Sequence, residues 1–198
     1  SLIDGTDFEY SEANIVTEKV RLPNEYKSLK NPNKNDIDTI RVLRYLKSRA
    51  IGDEIINNNN IGFCKKGKYS GRVIIPSYDK DGELNYFISR SYVNHKMKYL
   101  NPVTAKENIV FNEDKINWDK NVFLVEGVFD ALFIPNSIPM LGKVMSDKLW
   151  QMIYKKLTKK IFIVLDSDAW NDAIKLYKKL DGGKLKGRVF ITKIPDNT

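Results

Sequence analysis

The sequence predicts a two-part chain: an α+β half over residues 1–120, then an α/β half built on a small parallel sheet over 121–198. Three observations carry this. A helical apolar pattern from Asp36 is followed by short strand-like runs that flank a hairpin signal. From Asn121 onward, short apolar runs alternate with helical stretches, the pattern of parallel strands joined by crossover helices. Between the two lies the polar, turn-like Trp118-Asp119-Lys120-Asn121.

Each element has a local reason. Ile37, Ile40, Leu43 and Leu46 recur every third position behind Asp36, a good N-cap, and Ala50-Ile51-Gly52 ends that helix. Residues 61–64, 72–76 and 84–90 read as strands, the last two joined through Tyr78-Asp79-Lys80-Asp81-Gly82. Residues 1–35 are weakly patterned, with Pro23 and Pro32 interrupting, and the asparagine run 57–60 reads as a loop. In the second half, Val122–Val125 reads as a buried strand, followed by Gly127 and a helix through Leu132. Residues 138–141 are the next apolar run, and Ser146 caps a helix to about Lys156. Ile161–Leu165 is a continuous apolar strand. Residues 169–180 are helical, with Ile174 and Tyr177 on the apolar side, and 187–194 form a last strand after Gly182-Gly183.

Composition narrows the chemistry. Of 198 residues, 42% are hydrophobic, 29% charged and 11% aromatic, which excludes collagen-like, coiled-coil and fully disordered chains. No apolar run approaches the ~20 residues of a membrane span. Leu2-Ile3 is followed at once by Asp4, so no signal peptide is expected and the location expected is cytoplasmic. Ser1 in place of an initiator Met points to an excised or processed fragment. One cysteine, Cys64, excludes an internal disulfide framework; with one histidine, His95, it excludes a Cys/His zinc site. A Ser-His-Asp triad would have to use His95, which no motif supports. Any metal must be held by carboxylates, which points to magnesium or manganese.

The net charge of +8 is unevenly spread: −1 over 1–59, +6 over 60–106, −2 over 107–120 and +5 over 121–198. Residues 60–106 are therefore a candidate polyanion surface, with a solvated lysine-rich face as the alternative.

The chemistry-bearing acids sit where an open parallel sheet forms sites, outside the C-terminal ends of strands. Glu126 follows one apolar strand directly, Gly127 permits a tight turn and close approach, and Asp130 returns four residues later. Asp166 follows another strand directly, and alternation aims Asp168 the same way. Four converging carboxylates repel one another, and a divalent cation removes that penalty. The alternative is that Asp130 and Asp168 complement helix dipoles while Glu126 is solvated.

Val125-Glu126-Gly127-Val128-Phe129-Asp130 resembles the first motif of the Toprim domain, and Leu165-Asp166-Ser167-Asp168 resembles the second. Upstream, Tyr45-Leu46-Lys47-Ser48-Arg49-Ala50-Ile51 is similar to the Tyr-Leu-x-x-Arg-Gly-Ile segment of bacterial and phage DnaG-type primases. The stretch from Gly71-Arg72 through Pro76 to Asp79-Lys80-Asp81-Gly82 is similar to their hairpin, Ser89-Arg90 stands where they have Gly-Gly-Arg, and Lys98-Tyr99-Leu100-Asn101 resembles their Lys-Tyr-Leu-Asn. The order is kept from about residue 41 to 195. There are departures. Ala169-Trp170-Asn171 replaces x-Ala-Gly, Gly142-Lys143 replaces Gly-Thr, Ala50 replaces Gly, and the family's third acidic motif, expected after Lys193-Ile194-Pro195-Asp196, is missing before Thr198.

The resemblance implies an α+β primase subdomain followed by a Toprim subdomain truncated before its third motif, and the synthesis of short RNA primers by nucleotidyl transfer. It implies Glu126, Asp166 and Asp168 as catalytic residues. The same three with Asp130 would hold Mg²⁺ or Mn²⁺, and no zinc would bind. Arg72, Arg90, Lys98, Tyr99, Asn101 and Lys143 would contact nucleotide or nucleic acid, with Tyr92 and Tyr86 as further stacking candidates. The implied partners are a single-stranded DNA template, ribonucleoside triphosphates and a replicative helicase, fused or separate, with no membrane. Two other readings stay open: a non-catalytic single-stranded-DNA-binding module of a replicative helicase, and another Toprim enzyme such as a nuclease.

Overall fold

In a computed structural model, residues 19–142, 145–156 and 159–193 are described. The first helix, α1 (Ile37–Lys47), starts where its cap predicts. Asp36 Oδ2 accepts from the Thr39 backbone N–H at 3.0 Å and from its hydroxyl at 2.7 Å. The Lys65 ammonium donates to Asp36 as well, and this bond does most to hold the carboxyl down at about 2. The buried stripe is not the expected one. Thr39, Val42 and Leu46 face the core, while Ile37 (61%) and Ile40 (40%) are exposed. A strict three-residue spacing falls about 60° short of a full turn at each step, so Ile37 ends on the side opposite Leu46.

Two caps of one kind follow in succession. Ile51 N–H bonds Leu46 C=O and Ala50 N–H bonds Lys47 C=O, both at 3.0 Å, with Ala50 left-handed at φ 58°. The helix α2 (Asp53–Asn58), which the local sequence pattern does not reveal, ends likewise through Asn60 at φ 48°. The asparagine run is thus half helix and half cap. In each cap the residue beyond the turn, Ile51 or Ile61, is buried in the same cluster as the helix residue whose carbonyl it meets, Leu46 or Ile56.

Strands β1 (Tyr26–Ser28), β2 (Gly62–Cys64), β3 (Arg72–Tyr78) and β4 (Leu84–Ser91) form an antiparallel sheet in chain order. Asp79 shapes the β3–β4 turn, its Oδ1 accepting from the N–H groups of Asp81 and Glu83 at 2.9 and 3.0 Å. The segment around Tyr99 lies along the free edge of β4, with Ser91 N–H to Lys98 C=O at 2.9 Å and Leu100 N–H to Ser89 C=O at 3.0 Å.

The second half alternates as expected: β5 (Val122–Val125), α3 (Val128–Ala131), β6 (Ser137–Pro139), α4 (Asp147–Lys156), β7 (Ile161–Leu165), α5 (Trp170–Leu180) and β8 (Val189–Lys193). The sheet is parallel in the order β6-β5-β7-β8. Leu149 and Ile153 of α4 and Ala173 and Leu180 of α5 pack with Leu124, Ile161 and Ile163 of the sheet. Ile174, expected on that apolar side, is only partly buried.

The two sheets are joined through α3. Val128 is buried in the cluster that holds Val42, Leu46, Phe63 and Ile88 of the antiparallel half, and Phe129, Leu132 and Leu141 pack against it. Burying a side chain of this size contributes roughly 1.5–3 kcal/mol.

Ala50 offers a test of the α1 cap. Left-handed backbone costs a Cβ-bearing residue roughly 1–2 kcal/mol, and glycine's extra chain entropy costs roughly 0.5–1 kcal/mol. Ala50→Gly is therefore expected to stabilise the fold by about 0.5–1 kcal/mol. Urea unfolding would show this as a higher midpoint at unchanged slope, and a lower midpoint would contradict it.

Candidate active site

The strand order reverses at β5, with β6 on one side of it and β7 on the other. A crevice opens at such a switch point beyond the C-terminal strand ends. Val125 of β5 pairs with Val164 of β7, so the two chains leave the sheet side by side. Glu126 follows the first and Asp166 the second, and Asp168 lies on the 3-10 turn Ser167–Ala169. One carboxylate oxygen from each of Glu126, Asp166 and Asp168 lies within 4.8 Å of the others, and all three residues are exposed.

Asp130 stands beside this group with a different task. Its Oδ2 accepts the Gly127 N–H at 3.0 Å and so holds the first turn of α3. Gly127 has extended backbone, φ −123°, so the glycine serves close approach, not a left-handed turn. A Cβ there would stand 3.1 Å from that same Asp130 oxygen.

The electrostatics follow from the crowding. Partial burial, then the charges of Asp166, Asp168 and Asp130, push the Glu126 carboxyl above its usual range. Burial, then Asp130 and Asp168, do the same to Asp166. An exposed all-oxygen donor set whose members repel one another fits a hard divalent cation. Glu126, Asp166 and Asp168 are the residues that would hold it.

A cleft of about 410 Å³ adjoins the acids. Ile88, Tyr99 and Asn101 line it from the antiparallel half, and Glu126, Gly127, Met140, Leu141, Asp168 and Asp172 from the parallel half. Leu141 at its edge is left-handed at φ 58°, an uncommon conformation for a bulky residue and one found more often at functional sites. Asn101 Oδ1 accepts the Ser89 N–H at 3.0 Å, which fixes the segment carrying Tyr99.

Two arginines converge on Phe129, inside the first acidic motif. The Arg90 guanidinium lies 4.9 Å from the Phe129 ring centre and 5.0 Å from that of Tyr99, and it donates to the Tyr99 hydroxyl. Arg49 lies 5.4 Å from Phe129 and 5.2 Å from Tyr45. Among the described residues neither arginine forms an ion pair with a carboxylate. Arg49 stands in the Tyr45-to-Ile51 segment that resembles the primase pattern, but no binding role was assigned to it from the sequence. What gives it a place at the site is Phe129, eighty positions downstream, a contact that the local motif does not report.

Other expectations are corrected. Arg72 is only 3% exposed, and its guanidinium donates to the carbonyls of Met97 (2.8 Å) and Lys98 (3.2 Å). It braces the 97–98 backbone from inside and does not reach for a phosphate. Tyr86 is fully buried and offers no stacking face, and Tyr92 packs edge-on against Phe63 at 6.3 Å. Lys98 and Tyr99 are exposed. Lys143 and the segment 194–198 lie outside the described residues.

The raised carboxyl pKa values set a pH test. Folding raises them, so the native state binds more protons than the unfolded chain at intermediate pH, and metal-free stability falls as pH rises through them. Asp166→Asn is therefore expected to raise the metal-free melting midpoint at pH 7 by roughly 2–4 °C and to leave it unchanged near pH 4. Mn²⁺ at about a hundred times its Kd should stabilise the parent by roughly 2.7 kcal/mol, and the variant should lose most of that gain. Melting curves at both pH values, with and without Mn²⁺, check the sign.

Comparison with known proteins places these features. No family model matches the chain. It is 31% identical over 182 residues to the uncharacterized protein MG010 of Mycoplasma genitalium, an alignment covering 85% of this chain and 79% of that one. It is 25% identical over 127 residues to the DNA primase of Staphylococcus aureus, covering 58% of this chain but 21% of the primase. Among solved structures, a DnaG primase catalytic domain bound to ssDNA matches with a TM-score of 0.68 at 21% identity, covering 82% of this chain and 68% of that one. The E. coli primase catalytic core matches at 0.65 and 22% identity, covering 83% and 68%. The chain therefore belongs to the family of the Mycoplasma genitalium protein MG010, and its fold is that of the DnaG-type primase catalytic core, an antiparallel α+β half joined to a Toprim half.

Proposed function

We propose that this chain is a primase-type nucleotidyltransferase core that joins ribonucleotides on a single-stranded DNA template. The observation that carries the reading is a juxtaposition. Three carboxylate oxygens lie within 4.8 Å of one another at the strand ends, and two guanidiniums, without acidic partners among the described residues, lie against the ring of the same acidic motif. A triphosphate is the ligand that needs both, since its negative charge is met by a cation held on one side and by arginines on the other.

A divalent cation held by Glu126, Asp166 and Asp168 would neutralise phosphate charge and acidify the attacking hydroxyl. The chain's own groups do the rest. Arg49 and Arg90 orient the phosphates with planar, bidentate donors. Asp130 holds Gly127 and the first turn of α3, which fixes where Glu126 points. Tyr99 and Asn101, over the apolar Ile88, Met140 and Leu141, offer a base an aromatic face and polar edges in the cleft. Lys98, exposed on the same segment, faces a template backbone, and Lys143, after Gly142, is a further candidate for a phosphate.

The test is template-dependent incorporation of labelled ribonucleotides with Mg²⁺ or Mn²⁺. Asp168→Asn and Arg49→Ala are each expected to slow it about 100-fold, equivalent to about 3 kcal/mol of transition-state stabilisation, with melting curves showing that the fold survives. Single-stranded DNA binding without incorporation under any condition would transfer the reading to a non-catalytic binding module. Cleavage of DNA in place of synthesis would transfer it to a Toprim nuclease.

A further inference from the structure

The outer face of α4 and α5, on the helical side of the parallel sheet, has the chemistry of a binding surface. Trp150 and Tyr154, one turn apart on α4, stack with ring centres 6.3 Å apart and planes at 21°. Lys179 of α5 places its ammonium 5.3 Å from the Trp150 ring centre, and Lys184, on the turn after α5, places its own 4.9 Å from that of Tyr154. Gly183 makes the second contact possible: a Cβ there would come within 2.7 Å of the Tyr154 hydroxyl oxygen. The pair of rings and the pair of cations are thus arranged by three separate elements.

The charge on this face is not neutralised. Asp172 and Asp181, the acids of α5 and its end, have partners of their own. Asp172 pairs with Lys175 at 3.3 Å, and Asp181 accepts from the Tyr177 hydroxyl (2.8 Å) and the Gly187 N–H (2.7 Å). Asp147 lies in the first turn of α4, at the end away from Lys155 and Lys156. Lys155, Lys178, Lys179, Lys184 and Lys186 are exposed, and among the described residues none of them forms an ion pair; Lys156 instead borders the 114–119 segment with Asp114 and Asp119.

We infer that this face is a second binding site for single-stranded nucleic acid, separate from the catalytic cleft. The lysines meet phosphates, and the exposed Tyr154 with Trp150 offers an aromatic surface on which unpaired bases stack. A duplex would satisfy the lysines but hides its base faces, and an acidic protein surface would supply carboxylates without rings. The inference stands on this face alone and does not depend on the chemistry of the cleft.

The probe is a 25-nucleotide oligo(dT) followed by fluorescence anisotropy. Lys179→Glu with Lys184→Glu is expected to weaken binding at least tenfold. It should also flatten the dependence of log affinity on log salt by about 0.7 for each phosphate that the variant no longer neutralises. Tyr154→Ala, which keeps every charge, is expected to weaken binding about fivefold or more. In a background of Trp118→Phe and Trp170→Phe, the remaining Trp150 emission should be quenched by the oligonucleotide, and quenched equally when Arg90→Glu disables the cleft. Unchanged affinity and salt slope in the double lysine variant would overturn the inference, as would unquenched Trp150. So would equal displacement by poly-L-glutamate at matched charge, which would assign the face to an acidic protein. These failures leave the polymerase reading intact, because that reading is read out by ribonucleotide incorporation.

Discussion

The packing of α3 against the antiparallel half is the contact on which the rest of the structure depends. A four-residue helix cannot hold its shape by its own hydrogen bonds, since nucleation alone costs more than so few bonds return. Its form comes from outside, through Val128 in the core and Phe129 and Leu132 against it. That burial fixes the point at which the chain leaves β5, and with it Glu126. It also makes the cleft a property of two halves, because Tyr99 and Asn101 reach the acids only while α3 stays docked.

Acids and arginines stand around the same acidic motif without pairing among the described residues. Glu126 and Asp166 are raised by partial burial and by like neighbours, so the acids are held in a state that favours a cation. Arg49 and Arg90 are the natural counter-charges, yet both rest on aromatic rings. Ring faces attract guanidiniums by roughly 0.5–2 kcal/mol without neutralising them. A carboxylate partner would have consumed the charge. The aromatic seat keeps each group placed and still able to meet an anion, a property the proposed nucleotidyl transfer would use.

The basic side chains divide by what they contact. Arg72 is buried and bonded to carbonyls, and Lys65 is paired with Asp36 at the α1 cap. Lys115 donates to the Asn58 carbonyl and to Asn59 at the end of α2. These support the fold. On the α4–α5 face, Lys179 and Lys184 rest on the rings of Trp150 and Tyr154 and, among the described residues, form no ion pair. Net charge by segment does not separate the two kinds: residues 60–106, the most basic block, include both Arg72 and Lys98.

Most of the architecture was legible in the residues themselves. Short apolar strands, the Asp36 and Ser146 caps and the Asp79 turn are local phenomena, decided by neighbours a few positions away, and local patterns report them. The acids after β5 and β7 were legible for the same reason, because a parallel sheet delivers strand ends to one edge. Two things were not. The buried side of α1 depends on which of two apolar stripes meets the sheet, and a three-residue spacing cannot choose between them. The opposite fates of Arg72 and Arg49 depend on Met97 and Lys98 in one case and on Phe129 in the other. Both partnerships are contacts across the fold, and sequence order holds no record of them. Composition and periodicity determined that there would be two sheets and an acidic strand-end site. Only packing decided that Arg49 and Arg90 would rest on the Phe129 ring and that Arg72 would be sealed inside, because burial and the choice of hydrogen-bond partner are settled by long-range contacts that form when the halves close on each other.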